Sequence, residues 1–116
     1  MKPYARADRV AGEVQKELAD LLIRKLKDPR LDGVLISGVK MTADLQLANV
    51  YFSVSGGEER QQKAQKGLQS ATGFIRQELG RRMELRYTPN IRFFYDPSFD
   101  YGERIENLIR DLRSDD

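Results

Sequence analysis

The chain has 116 residues, with 20 lysines and arginines against 18 aspartates and glutamates, and it contains neither cysteine nor histidine. Those absences exclude disulfides, thiolate and imidazole metal sites, and both Cys–His and Ser–His–Asp catalysis, leaving only carboxylates for any metal chemistry. The length fits a single domain over residues 1–116, large enough to bury a core without staples.

The first predicted element is a helix over residues 6–27, in which Val10, Val14, Leu18, Leu21 and Leu22 form one apolar stripe. Asp28-Pro29 ends it, because proline disfavours a helical conformation at the residue before it. Two strands follow, over residues 34–41 and 47–54, joined by Thr42-Ala43-Asp44 as an antiparallel hairpin. In the second strand Ala48, Val50, Phe52 and Val54 alternate with Asn49, Tyr51 and Ser53, so one face is expected to be buried.

Gly56-Gly57 closes the hairpin, and Glu58-Glu59 places acid where a following helix dipole favours it. That helix, over residues 62–86, carries the stripe Ala64, Leu68, Ala71, Ile75 and Leu79. Its propensity fails at Ser70-Ala71-Thr72-Gly73, which predicts a break at Gly73 and a second half-helix whose freed N–H groups attract phosphate, with Arg76 one turn inside. After Thr88-Pro89-Asn90 comes a strand over 91–95, expected as the third of the sheet, and then a helix begun by Asp96-Pro97-Ser98 with the stripe Ile105, Leu108, Ile109 and Leu112. Residues 113–116 are expected to fray. The order is α-β-β-α-(kink)-α-β-α, a two-layer α+β fold with helices on one face of a three-stranded sheet.

The net charge of +2 hides a gradient: +3 over residues 1–30, −1 over 31–57, +3 over 58–90 and −3 over 91–116. Two basic helical segments can meet a polyanion from one side. No apolar run approaches the roughly 20 residues that span a bilayer, and Met1-Lys2-Pro3 leads into charged sequence, so a cytoplasmic protein without membrane contact is expected.

The element order, with a small-residue bend between the central helices, resembles the K-homology fold of type II. The usual Gly-x-x-Gly clamp of that fold is replaced here by Ala71-Thr72-Gly73. That replacement is similar to the ribosome-binding factor A family of bacterial small-subunit maturation factors. So are Arg9-Val10, Asp28-Pro29-Arg30-Leu31, Ser37-Gly38-Val39, Asp44-Leu45, Ala48-Asn49-Val50-Tyr51, Phe74-Ile75-Arg76 and Phe93-Phe94-Tyr95-Asp96, in that spacing. The resemblance implies a monomeric factor, without cofactor or catalytic activity, that binds immature small subunits through their rRNA. It further implies support of late rRNA processing, a role greatest in the cold, and release before translation, with a ribosome-associated GTPase as the expected releasing partner. Some members carry a longer C-terminal tail than the one here.

The candidate RNA contacts are Arg6, Arg9, Arg30, Lys63, Lys66, Arg76 and Arg81, with Ala71, Thr72 and Gly73 as the kink. Lys63, Lys66, Arg76 and Arg81 fall away from the apolar stripe of their helix. Arg82 and Arg86 point toward the core side of an unbroken helix, so either the helix ends there or their stems snorkel. Asp20 and Arg24 form an i,i+4 pair on the first helix, and Asp28, Asp44 and Asp96 read as termination, turn and capping residues. Phe93, Phe94 and Tyr95 read mainly as core and secondarily as base-stacking groups. Two alternatives stand beside RNA binding: a magnesium-dependent RNA hydrolase built on Asp44, Asp96 or Asp100, and a module whose acidic C-terminal helix docks a ribosomal protein or GTPase.

Overall fold

The structure, a computed structural model, describes residues 3–98. The expected last helix and frayed tail lie outside the described residues, and so does Asp100. Helix α1 runs Pro3–Arg24 and is followed by a short 3-10 turn at Pro29–Leu31. Strands β1 (Leu35–Met41) and β2 (Leu47–Ser53), helix α2 (Gly57–Arg82) and strand β3 (Asn90–Tyr95) complete the described chain.

The sheet order is β1-β2-β3, with β1 antiparallel and β3 parallel to the central β2. The parallel pair follows from α2, which returns the chain to the end of the sheet where β2 began. Ala48, Val50 and Phe52 of β2 are fully buried, as the alternation predicts, and Ile91 and Phe93 of β3 share their face. Against this face pack Val14, Leu18 and Leu21 from α1, over β1, and Leu68, Ile75 and Leu79 from α2, over β3. Gln15 and Gln65 tie the two layers, donating to the Ile36 carbonyl at 3.4 Å and the Phe93 carbonyl at 2.8 Å.

Helix α1 ends at Arg24, three residues before the expected stop, because the Lys25 and Leu26 amides both turn back to the Leu21 carbonyl at 2.9 Å. Asp28 instead caps the 3-10 turn, accepting from the Arg30 amide. The hairpin loop is longer than the expected three residues and places Leu45 at a left-handed φ of 62°. Asp44 closes it by accepting from the Thr42 hydroxyl at 2.6 Å and the Gln46 amide at 3.1 Å. Helix α2 begins five residues earlier than expected, from Gly56 at φ 114°, a conformation open to glycine.

The expected break at Gly73 is absent: α2 is α-helical from Gly57 to Arg82 without interruption. The stripe of large apolar side chains on one side holds the weak formers in the helix, since tertiary burial outweighs local propensity. Thr72 back-bonds to the Leu68 carbonyl at 3.1 Å, a contact that bends helices without breaking them. No second half-helix with freed amides exists, and Arg76 stands at none.

The glycines of α2 separate into two kinds. A Cβ on Gly67 would lie 2.9 Å from Leu31 Cδ2 and 3.2 Å from Arg30 Cβ, so this residue sets how closely α2 meets the turn. A Cβ on Gly73 would meet nothing within 4 Å. Gly73→Ala is therefore expected to stabilise the protein by up to about 1 kcal/mol through helix propensity. Gly67→Ala is expected to lose about 1 kcal/mol net, because overpacking outweighs the same gain. Urea unfolding of the two variants checks this, and equal shifts of the same sign would refute it.

Candidate nucleic-acid interface

The 3-10 turn after α1 packs on α2 at Gly67, and Glu17 and Asp20 of α1 meet Arg82 of α2, so this stretch of chain runs antiparallel to α2. That alignment sorts the seven candidate cations into three places.

Arg30 lies beside Gly67, one turn from Lys63 and next to Lys66. Its guanidinium forks onto Asp28, with Nη2 at 2.7 Å and Nε at 3.0 Å from Oδ2. The pairing holds the Asp28 carboxyl below and the Arg30 guanidinium above their ordinary values, chiefly through the side-chain hydrogen bond each makes to the other. Lys66 is exposed and forms no ion pair among the described residues, while Lys63 reaches Glu59 at 3.2 Å in a solvated i,i+4 pair that competes weakly for it. Lys25 and Lys27 are exposed and equally unpaired, and the chain brings them to this corner just ahead of Asp28. Neither stands among the candidates read from the sequence, because only the packing at Gly67 reveals which end of α1 approaches the lysines of α2.

Arg6 and Arg9 are exposed near the start of α1, which extends past the end of α2: Arg82 meets Glu17 and Asp20, and Arg9 stands eight residues before Glu17, roughly 12 Å of helix further on. Arg81 is 18 residues, or roughly 27 Å of helix, from Lys63, and it approaches Glu78 at 3.7 Å.

Arg76 is elsewhere. It is half-buried on the β3 side of α2, donating from Nε to the Pro89 carbonyl at 3.1 Å and from Nη2 to the Thr88 carbonyl at 3.4 Å. Its role in the fold is to fasten the loop that feeds β3, and the free amides expected beside it are absent because α2 is unbroken there.

Arg82 is the last residue of α2 and turns inward, so of the two alternatives the helix ends there. It joins Glu17 at 3.0 Å, Asp20 at 2.8 Å and Glu78 at 3.6 Å, while Asp20 also binds Arg24 at 2.7 Å. The Arg82 hydrogen bond is the chief reason the Asp20 carboxyl is held below its ordinary value. This network neutralises the acidic flank of α1, so the cations elsewhere on the layer do not face it.

On α2, Lys63, Lys66, Ser70, Gly73, Gln77 and Arg81 are all exposed and fall within one narrow arc of the helix. Between the basic corner and Arg81 this arc carries Ser70, Gly73 and Gln77, with Phe74 exposed beside it.

The carboxylate alternative loses its geometry. Asp44 closes the hairpin loop, whereas Asp96 accepts from Ser37 Oγ at 2.8 Å beside the opposite end of β2, roughly 16 Å of strand away. Among the described residues no group of three acidic side chains gathers to hold a metal, and no helix there is long and apolar enough to cross a membrane.

Comparison with known proteins places this geometry. The family model described as ribosome-binding factor A matches residues 6–109. A ribosome-binding factor A of Desulfatibacillum aliphaticivorans is 48% identical over 112 residues, covering 97% of this chain and 91% of the relative. That of Syntrophobacter fumaroxidans is 47% identical over 115 residues, covering 97% and 98%. Among solved structures, a Thermotoga maritima protein described as a putative ribosome-binding factor A aligns with TM-score 0.68 at 34% identity, over 81% of this chain and 90% of its own. A Thermus thermophilus ribosome-binding factor A, in a homology model fitted into a map of a 30S complex, shares the fold at 24% identity and TM-score 0.66, over 78% and 96%.

Asp20, Asp28, Asp44 and Asp96 are all held below the ordinary carboxyl value of 3.8 by hydrogen bonds, led by Arg82, Arg30, Thr42 and Ser37 respectively. A carboxyl depressed in the folded state contributes stability that is complete above its unfolded value and fades as pH falls through the folded one. The thermal midpoint is therefore expected to hold from neutrality to about pH 5 and to fall below about pH 4. The fall should be shallower in Asp28→Asn/Asp96→Asn, and an identical acid profile in that variant would rule these pairs out as its cause.

Proposed function

Because the chain belongs to the ribosome-binding factor A family, we propose that it binds the immature small ribosomal subunit through rRNA phosphates at the exposed arc of α2 and the adjoining turn. Arg30, Lys63 and Lys66, with Lys25 and Lys27, supply the charge at one end of this surface and Arg81 supplies it at the other, with Arg6 and Arg9 on the part of α1 that extends beyond α2. The observation that carries the reading is the stretch between those two ends. Gly73 costs the helix stability yet makes room for nothing inside the protein, so its missing side chain serves an outside contact, a backbone approaching α2 closely beside Ser70. The fitting of a Thermus relative into a 30S complex supports the same partner.

On this reading the protein works as a cytoplasmic monomer that supports late rRNA processing, most of all in the cold, by holding an rRNA conformation rather than by performing a reaction. The engagement of Asp44 and Asp96 in turn and strand-end hydrogen bonds supports the non-enzymatic role. A ribosome-associated GTPase is the releasing partner we propose.

Gly73→Gln separates this contact from folding, since the long side chain strengthens the helix and obstructs the approach. It is expected to keep or raise the thermal midpoint and to weaken co-sedimentation with immature small subunits about tenfold, within the range expected for removing one hydrogen-bonded approach. Lys63→Glu/Lys66→Glu should also weaken binding and flatten the log-affinity against log-salt slope by roughly 0.7–0.9 for each phosphate the variant no longer neutralises. Undiminished co-sedimentation of both variants would refute the placement.

A further inference from the structure

Among the described residues, the helices leave the other face of the sheet uncovered. Two rows cross all three strands there. The first is Gly38–Tyr51–Phe94 and the second Lys40–Asn49–Arg92, set by the register of β1 and β3 on β2. The rows are two residues, or about 7 Å, apart along the strands.

In the first row Tyr51 and Phe94 stack, with ring centroids 5.6 Å apart and planes inclined by 30°. Phe94 is 42% exposed, whereas its neighbours Phe93 and Tyr95 turn to the helices, Tyr95 meeting Phe52 edge to face. Gly38 beside Tyr51 leaves open space where a Cβ would stand, and a cleft of about 340 Å³ opens there, lined by Ser37, Gly38, Lys40, Tyr51, Asp96 and Pro97. In the second row Lys40 and Arg92 are exposed and form no ion pair among the described residues. The one acid in the cleft, Asp96, is held by the Ser37 hydroxyl and the Ser98 amide. Its charge repels phosphate from that end and leaves the Lys40–Arg92 row as the place for it.

We propose that this outer face is a second RNA contact, which stacks an unpaired base on Tyr51 and Phe94 and holds the adjoining phosphates with Lys40 and Arg92. A flat aromatic surface with cations one nucleotide's reach away suits a single strand, whose bases can splay onto it, and not a duplex, whose bases are already stacked. The inference deepens the ribosomal reading and takes the polymer's identity from it. The helical arc would then grip backbone while the sheet captures a loose single-stranded segment of the same particle.

The test uses fluorescence anisotropy of the full chain with a short labelled oligoadenylate, a duplex RNA of equal length, and a salt series. The oligoadenylate is expected to bind more tightly than the duplex. Phe94→Ala should weaken it roughly fivefold to a hundredfold, the range of one base–aromatic stack, with the thermal midpoint nearly unchanged because Phe94 lies outside the core. Phe94→Tyr should retain binding, and Lys40→Gln/Arg92→Gln should flatten the salt slope by roughly 0.7 for each single-strand phosphate that the variant leaves unneutralised.

Failure of the oligoadenylate to bind, or equal affinity of Phe94→Ala and the parent, overturns the proposal. So does a Phe94→Ala variant that loses small subunits while keeping the oligoadenylate, which would assign the face to a ribosomal protein. Co-sedimentation of the Lys63→Glu/Lys66→Glu variant judges the helical arc separately, so either surface can fail alone.

Discussion

Two long helices must lie side by side on one face of a sheet only three strands wide. Strands spaced 4.7–4.9 Å apart leave about 10 Å between the outer two, and helices pack at about 8–10 Å, so α1 and α2 fill that face and are pressed against each other. Burial of Ala48, Val50 and Phe52 beneath both helices supplies the driving force, and the seam between the helices is where the sequence has to accommodate it. Gly67 lets the 3-10 turn that follows α1 lie close on α2 by removing a side chain. Arg82 spans the seam itself by bridging Glu17, Asp20 and Glu78.

That seam also decides which charges are available to a partner. Arginine's planar fork suits half-buried sites with several oxygens to satisfy, and three arginines are used that way: Arg82 in the seam, Arg30 on Asp28, and Arg76 on the carbonyls of Thr88 and Pro89. The lysines, with compact and strongly hydrated charges, stay outside. The exposed arc of α2 therefore carries Lys63 and Lys66 toward one end and Arg81 at the other, with Ser70 and Gly73 between them. Helix α2 thus has two unlike faces: large apolar side chains inward, which hold it helical, and polar or small residues along most of the outward side.

A two-layer fold with helices on one side necessarily leaves a sheet face unpaired, and the composition of that face is informative. A solvated face of an antiparallel or mixed sheet is ordinarily polar. Here an aromatic pair lies on it beside cations that form no ion pair among the described residues, and β1 carries a bulge at Ser37 that brings its hydroxyl to Asp96 and closes one end of the cleft. The proposed helical and sheet contacts lie on opposite sides of the domain, so they would take separate segments of one polymer and do not compete for the same nucleotide.

The sequence alone determined the order of the first helix, the hairpin, the second helix and the third strand, the two-layer class, the buried side of β2 and the family. Each of these rests on periodicity or on residue types in fixed spacing, and such signals are local. It did not determine the state of Ser70-Ala71-Thr72-Gly73, where propensity predicted a break and packing of Leu68, Ile75 and Leu79 kept one helix. Nor did it determine that Arg76 turns to the loop before β3, that Lys25 and Lys27 approach α2, or that Phe94 alone of its aromatic run faces outward beside Tyr51. Those outcomes depend on pairs far apart in the chain, Gly67 with Leu31 and Tyr51 with Phe94 among them. Only the tertiary structure decides them, because the energy of a contact depends on what the rest of the fold brings opposite a residue.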